Sequence, residues 1–284
     1  MSDKRAIGVF DSGMGGLTVA RALRERLPHE DIVYLGDTAR LPYGTKSPAT
    51  VTAYALQATR ALMKHDVKMV VIACNTASSV ALEPLAHDLA PLQVVGVVEP
   101  GARAGLAATK TGRIGVLATE STVRGGAYLR AIRKYNPDTR IVQQACALFV
   151  ALAEEGWTDG EIAHAAAARY LSPLFQTPSE APDTLILGCT HFPVLAPAIA
   201  HVLGNTVTLV DSAATTAAAV AEALTKEQMI NDERHPGQNH FMATDGTERF
   251  ARLGGLFFGQ PIAPEDVELV DLQAGLSTTV QASP

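Results

Sequence analysis

Residues 70–76 read Val-Val-Ile-Ala-Cys-Asn-Thr, and residues 185–191 read Leu-Ile-Leu-Gly-Cys-Thr-His. Each stretch is a short apolar run that ends at a cysteine, Cys74 or Cys189, and continues into polar residues. Short apolar runs bounded by such residues are typical of strands buried inside a parallel sheet. The two stretches therefore predict two buried strands, each with a thiol at its carboxyl end.

Eight apolar runs divide most of the chain into two similar quartets. The first four begin at residues 7, 32, 69 and 94, and the second four begin at residues 114, 141, 185 and 207. Helical stretches such as Leu17–Leu27, Thr50–Met63 and Gly160–Leu174 alternate with them, which predicts an α/β fold with mainly parallel sheets and helices on both faces. Because the third run of each quartet ends in a cysteine, we interpret the quartets as duplicated halves about a pseudo-twofold axis. Chance similarity between short elements is the alternative.

Two further patterns are an Asp-Ser pair that occurs twice and the elements of the C-terminal region. Phe10-Asp11-Ser12 is echoed by Val210-Asp211-Ser212, and a helical stretch containing threonine follows each. The C-terminal region predicts strands at His240–Ala243 and Val267–Val270 and a helix at Thr247–Phe257. We expect the residues after Leu272 to fray.

The composition favours a globular protein that binds a small molecule. Hydrophobic residues make up 47% of the 284 residues, the net charge is -6, and no basic run is present, so nucleic acid is an unlikely partner. No apolar stretch reaches the length of about 18 residues that a membrane-spanning helix needs, and no signal peptide precedes the first strand. Three widely spaced cysteines without a CxxC motif favour a reducing cytoplasm over a disulfide framework.

Ligands of parallel α/β sheets bind beyond the carboxyl ends of the strands, and seven chemically active residues are expected there. They are Asp11, Asp37, Cys74, Glu99, Thr119, Cys189 and Asp211. A helical stretch follows each of the two strand-end cysteines, and a helix N-terminus favours a thiolate. Cys146 lacks this setting in the sequence, and we interpret it as a buried apolar residue.

The glycine-rich stretch 11–18 (DSGMGGLT) has two interpretations. Its backbone N–H groups could hold a phosphate or carboxylate, or its glycines could serve a tight turn with positive φ. It matches neither a dinucleotide fingerprint nor a P-loop. His191 lies two residues after Cys189 and is a candidate proton partner for that thiol.

Four strings in order carry a resemblance to a known family. They are residues 9–18 (VFDSGMGGLT), 36–44 (GDTARLPYG), 73–78 (ACNTAS) and 187–193 (LGCTHFP). Together they resemble the glutamate racemases, which are cofactor-independent amino-acid racemases that make D-glutamate for bacterial peptidoglycan. The resemblance covers about residues 7–272 and implies an isomerase that needs no cofactor and no metal.

The resemblance also implies roles for individual residues. Cys74 and Cys189 match the two catalytic bases, Asp11 and His191 match groups that assist them, and Glu154 matches a further acid behind the site. The substrate-binding residues that match are Asp11, Ser12, Tyr43, Gly44, Asn75, Thr76, Thr190 and His191. One departure is that Ala147 and Ala151 stand where the family commonly has prolines.

The family pattern implies two α/β domains, residues 1–98 plus 211–284 and residues 99–210, with the active site in the cleft between them. It also implies a homodimer in the cytoplasm that binds L- and D-glutamate. Two thiols suit racemisation because a proton must leave one face of Cα and another must arrive on the opposite face, with each thiol acting as base and acid in turn.

Three alternatives remain open from the sequence. An aspartate racemase would share both cysteines, although its second motif typically reads Cys-Thr-Glu where this chain has Cys189-Thr190-His191. A Cys–His hydrolase could use Cys189 and His191 but leaves Cys74 unexplained. A binding protein on a duplicated scaffold would bind a ligand without exchanging its Cα proton.

Overall fold

The structure is a computed structural model that describes residues 3–233 and 235–272. The fraying expected after Leu272 lies outside the described residues. Ten strands are present in this part of the chain: β1 (Ala6–Asp11), β2 (Ile32–Gly36), β3 (Val67–Ile72), β4 (Gln93–Gly96), β5 (Arg113–Ala118), β6 (Arg140–Ala145), β7 (Thr184–Gly188), β8 (Thr208–Asp211), β9 (Asn239–Ala243) and β10 (Val267–Leu269).

Eleven α-helices connect the strands within the same described ranges. They are α1 (Leu17–Arg26), α2 (Pro48–Leu62), α3 (Asn75–Asp88), α4 (Val98–Ala108), α5 (Glu120–Gly125), α6 (Ala127–Tyr135), α7 (Ala147–Glu154), α8 (Glu161–Leu171), α9 (Ala196–Leu203), α10 (Ser212–Lys226) and α11 (Thr247–Phe258). The largest shift from the stated bounds is at α8, which was expected to reach Leu174 but ends at Leu171, where a 3-10 turn, Ser172–Leu174, follows it.

The strands form two sheets in which every pairing is parallel, so the predicted fold class is confirmed. One sheet has the order β10-β9-β2-β1-β3-β4, and the other has the order β6-β5-β7-β8. Each quartet therefore places its first strand between its second and third, which is the arrangement that duplicated halves would have. The division into domains, residues 1–98 plus 211–284 and residues 99–210, stays a prediction.

Only one of the two pairs of similar stretches occupies equivalent positions in the two sheets. Cys74 and Cys189 follow β3 and β7, which occupy equivalent positions in the two quartets. Asp11 ends the first strand of its quartet, whereas Asp211 ends the fourth strand of the other. The Asp-Ser echo is therefore wrong as a mark of duplication, because its two copies occupy different positions in their sheets.

One apolar core runs between the two sheets. Helix α1 follows β1 and packs along α10, which follows β8 of the other sheet. Leu17, Leu23, Val220 and Leu224 are buried in the same cluster as Phe192. Alanines such as those of α10 let helices approach closely, and this contact holds the carboxyl ends of the two sheets next to one cavity.

A buried ion pair lies at the opposite, amino-terminal end of the first sheet. Lys68 of β3 contacts Glu30 at 2.6 Å, with 0% and 2% of the two side chains exposed. The Lys68 ammonium also donates to the backbone carbonyls of Asp3 and Met229 at 2.6 and 2.7 Å. Glu30 accepts from the Asn231 N–H at 2.8 Å, so this pair ties three separate segments to the sheet.

We predict that Lys68→Met lowers the free energy of unfolding by about 3–5 kcal/mol, because it leaves the Glu30 carboxylate buried without its cation. Urea unfolding measures the change, and Lys64→Met, at an exposed neighbouring lysine, is the matched control. The double variant Lys68→Met/Glu30→Gln should recover part of the loss. A Lys68→Met protein as stable as the control would contradict this account.

Candidate functional site

A cavity of about 320 Å³ lies between the carboxyl ends of the two sheets. Ten of the eleven predicted site residues line it: Ser12, Tyr43, Gly44, Asn75, Thr76, Cys74, Cys189, Thr190, His191 and Glu154. Asp11 is fully buried directly behind this lining. The structure thus brings together residues from both quartets that are up to 180 positions apart in the chain.

Cys74 is the residue that precedes helix α3, as predicted. Its sulfur accepts from the Ala77 N–H at 3.5 Å and lies 3.4 Å from the Ser12 hydroxyl oxygen. The expected lowering of its pKa is wrong, however. Burial and the nearby Asp11 carboxylate raise the pKa of Cys74 to about 12, and they outweigh the opposing effect of its hydrogen bonds with Ser12 and Ala77.

Cys189 has a different local structure from the one predicted. A 3-10 turn, Phe192–Leu195, follows it, and helix α9 begins only at Ala196. The sulfur therefore does not cap an α-helix, and its nearest charged partner is His191, whose Nδ1 lies 3.8 Å away. Two thiols that look equivalent in the sequence thus have unlike partners.

His191 is positioned to carry a positive charge. Its Nε2 lies 3.2 Å from the Glu154 carboxylate. Burial by itself lowers the pKa of His191, but the contacts with Cys189 and Glu154 and the charge of Asp11 reverse this and raise it to about 10. The ring that carries this charge contacts the Cys189 sulfur.

Arg249 extends this chain of charges and was missed in the sequence. It lies on α11 and contacts the second Glu154 oxygen at 3.0 Å. Burial raises the pKa of Glu154, while the bonds to His191 and Arg249 lower it by more, so its carboxylate stays ionised. A single arginine on an amphipathic helix has no sequence signal that would mark this contact.

Of the two interpretations of the glycine-rich stretch, the tight turn with positive φ is wrong, and the binding of a ligand anion by its N–H groups stays a prediction. None of Gly13, Gly15 and Gly16 has positive φ. A Cβ atom at Gly15 would lie 2.4 Å from the His191 ring, and one at Gly16 would lie 2.5 Å from the Asp11 Cβ. These glycines provide space for His191 and Asp11 to approach the loop.

Asp11 is held by that loop with one oxygen left over. Its Oδ2 accepts from the Gly13 N–H at 2.9 Å, and its buried Oδ1 has no hydrogen-bond partner among the described residues. Burial raises the pKa of Asp11, against the lowering effect of the His191 charge. An unpaired buried oxygen of this kind is suited to accept from a ligand cation.

A cluster of three hydroxyl groups includes two that line another wall of the cavity, those of Thr76 and Thr119, and the buried one of Thr122 next to them. Thr119 Oγ1 lies 3.1 Å from the hydroxyls of both Thr76 and Thr122. A Cβ atom at Gly44 would lie 3.1 Å from the Thr119 Cβ, a contact so tight that Thr119 would have to shift slightly. Thr122 was missed because it lies inside α5, where a threonine gives no functional signal.

Tyr43 is oriented by a residue behind the cavity. Its hydroxyl donates to Asp37, which is fully buried and also accepts from Arg40 at 2.7 Å and Thr244 at 3.0 Å. Asp37 was expected at the strand ends, and there it supports the cavity wall without lining it.

Three other residues that the sequence analysis considered do not line the cavity. Because β4 ends before it, Glu99 lies on α4. It pairs with Lys134 at 2.9 Å, away from the cavity. Asp211 accepts from the Ala213 N–H at the start of α10 and does not line the cavity. Cys146 does stand between a strand and a helix, a setting that the sequence did not indicate, but it is fully buried, so its interpretation as a buried apolar residue is confirmed.

Residues 3–233 and 235–272 contain no group of three or more His, Cys, Asp or Glu side chains that could hold a metal ion. No helix within them is both long and apolar enough to cross a membrane.

Comparison with known proteins assigns the class that this site defines. The sequence profile of the Asp/Glu/Hydantoin racemase family matches residues 17–220. The chain belongs to this family.

Individual relatives cover nearly the whole chain. It is 49% identical over 270 residues to a glutamate racemase of Geobacter metallireducens, covering 95% of this chain and 98% of the relative. It is 46% identical over 269 residues to a glutamate racemase of Neisseria meningitidis, covering 95% and 97%. The crystal structure of Francisella tularensis glutamate racemase in complex with D-glutamate matches with a TM-score of 0.87 at 35% identity, covering 96% of this chain and 99% of that one.

We predict that Glu154→Gln lowers the pKa of His191, since a neighbouring negative charge that favours the imidazolium is removed. His191 then loses its proton at a lower pH. In a plot of kcat against pH, the high-pH limb therefore shifts to lower pH by at least about one pH unit. Glu155→Gln, at an exposed neighbour, is the matched control and should keep the original limb. A limb that stays in place in Glu154→Gln would contradict the assignment.

Proposed function

We propose that the protein is a glutamate racemase that interconverts L- and D-glutamate by proton transfer at Cα between Cys74 and Cys189. The observation that carries the proposal is that two buried thiols from equivalent strand ends line one cavity. The proposal includes a role in supplying D-glutamate for peptidoglycan in the cytoplasm, action without a cofactor or metal, and a homodimeric state.

The cavity offers complementary groups for an acidic amino acid. Asn75, which lines the cavity, and Asp11, which lies directly behind it, each have a buried Oδ1 that lacks a partner among the described residues, and these oxygens suit the substrate ammonium. The hydroxyls of Thr76, Thr119 and Thr122 suit a carboxylate. No lysine or arginine in the described part of the chain lines the cavity, which leaves hydroxyls and backbone N–H groups to bind the carboxylates.

The unlike surroundings of the thiols suggest how a turnover begins. The Cys189 thiolate, paired with the His191 imidazolium, takes the Cα proton from L-glutamate. Cys74, whose pKa is raised, remains a thiol and donates its proton to the opposite face of the carbanion. The result is D-glutamate, a Cys189 thiol and a Cys74 thiolate, and the reverse reaction starts from that state.

The aspartate racemase alternative differs only in substrate length and is tested by relative activity on the two amino acids. A Cys–His hydrolase would use Cys189 and His191 but would give no function to Cys74, which lines the same cavity. A binding protein would leave the substrate Cα proton in place. Proton NMR of L-glutamate with the protein in D2O, followed by chiral chromatography of the product, distinguishes a racemase from the last two possibilities, because only a racemase both replaces the Cα proton and forms D-glutamate.

We predict that Cys74→Ala and Cys189→Ala each lower the rate of racemisation at least about a hundredfold, because each turnover needs one base and one acid. The rates are followed by circular dichroism in both directions, with protein pretreated with EDTA. Cys146→Ala removes the third thiol and should retain activity, since Cys146 does not line the cavity. Near-normal racemisation by Cys74→Ala would overturn the two-base mechanism.

The helper residues should affect opposite directions of the reaction. Asp11→Asn should impair the step begun by Cys74, so the D-to-L direction shows the larger primary deuterium isotope effect. His191→Asn should do the same for the L-to-D direction, because His191 contacts Cys189. Both directions still obey the same equilibrium constant, so the asymmetry is measured in isotope effects and individual kcat values. Identical isotope effects in both variants would remove the helper assignment alone.

A further inference from the structure

Tyr128 is a buried tyrosine whose hydroxyl contacts a cavity residue from the other quartet. It lies at the second position of α6 and is 0% exposed. Asn75 Nδ2 donates to the Tyr128 hydroxyl oxygen at 2.8 Å. Asn75 follows Cys74 directly, so the contact joins α6 of one quartet to the first residue of α3 in the other.

The hydrogen bond determines which atom of Asn75 faces the ligand. With Nδ2 bonded to Tyr128, Asn75 Oδ1 is buried and has no partner in the described part of the chain. Asn75 lines the cavity and is 2% exposed. Its free oxygen is therefore an acceptor for a cationic group of a bound molecule, such as an ammonium.

The Tyr128 ring has little freedom to move. A Cβ atom at Gly188 would lie 2.8 Å from Tyr128 Cε2, and one at Gly101 would lie 3.2 Å from the hydroxyl oxygen. Gly188 immediately precedes Cys189, and Asn75 immediately follows Cys74. The Tyr128 side chain therefore contacts a neighbour of each thiol. Burial and the charges of Cys189 and Asp211 raise the pKa of Tyr128, which keeps its hydroxyl neutral.

We infer that Tyr128 is a positioning residue that fixes the carboxamide of Asn75 so that its Oδ1 binds the substrate ammonium. The inference rests on the proposed function, because it concerns the same substrate. Tyr128 itself does not line the cavity and acts through Asn75.

The test is Tyr128→Phe, which keeps the ring and removes the hydroxyl. The buried Asn75 amide then loses its acceptor. The free energy of an unpaired buried amide corresponds to a change of roughly 5- to 150-fold in the equilibrium constant for substrate binding. We expect kcat/KM for both enantiomers to fall at least about fivefold, mainly through a higher KM. The matched control is Tyr135→Phe on the same helix, since Tyr135 is exposed and bonds only to Glu99 among the contacts described, away from the cavity.

A double-mutant cycle separates positioning from general support of the fold. In an Asn75→Ala background, Tyr128→Phe should cause no further loss, because the group that it positions is absent. An equal loss in both backgrounds, or Tyr128→Phe activity within twofold of wild type, would overturn the inference. Wild-type protein and Tyr135→Phe that both fail to racemise glutamate would instead overturn the proposed function, and the inference with it.

Discussion

The packing of α1 against α10 is the contact on which the site depends. Each helix follows a strand of a different sheet, and their buried apolar side chains belong to one core. Two thiols can act on opposite faces of one carbon only if the two sheets present their carboxyl ends to the same space. The energy for this arrangement comes from apolar burial far from the chemistry, which leaves the cavity walls free for polar groups.

The polar groups of the cavity are arranged as two unlike halves. Near Cys74 stand Ser12 and the carboxylate of Asp11, which together with burial keep that sulfur protonated. Near Cys189 stands His191, whose positive charge is supported by Glu154 and, through Glu154, by Arg249. Two thiols that follow equivalent strands of the two quartets thus have unlike polar neighbours.

Arg249 and Tyr128 show how the two quartets influence each other. Arg249 belongs to the helix between β9 and β10, yet it bonds to Glu154 on α7 of the other quartet. Tyr128 lies on α6 and bonds to Asn75 on α3. In both cases a residue that touches no reacting atom holds one that lines the cavity, so substitutions there test the coupling between the quartets directly.

The amino-acid sequence alone determined the strand–helix alternation and the equivalence of Cys74 and Cys189, and it identified ten of the residues that line the cavity. These features depend on local periodicity and on motifs of adjacent residues. The tertiary structure alone decided the pKa directions of Cys74 and His191, the purpose of the glycines at 15 and 16, and the contacts of Arg249, Thr122 and Tyr128. These depend on burial and on distances between segments far apart in the chain. The predicted effect of the α3 N-terminus on Cys74 was wrong for that reason: the helix end is local, whereas the burial and the Asp11 charge that outweigh it arise only when β1 and β3 pair.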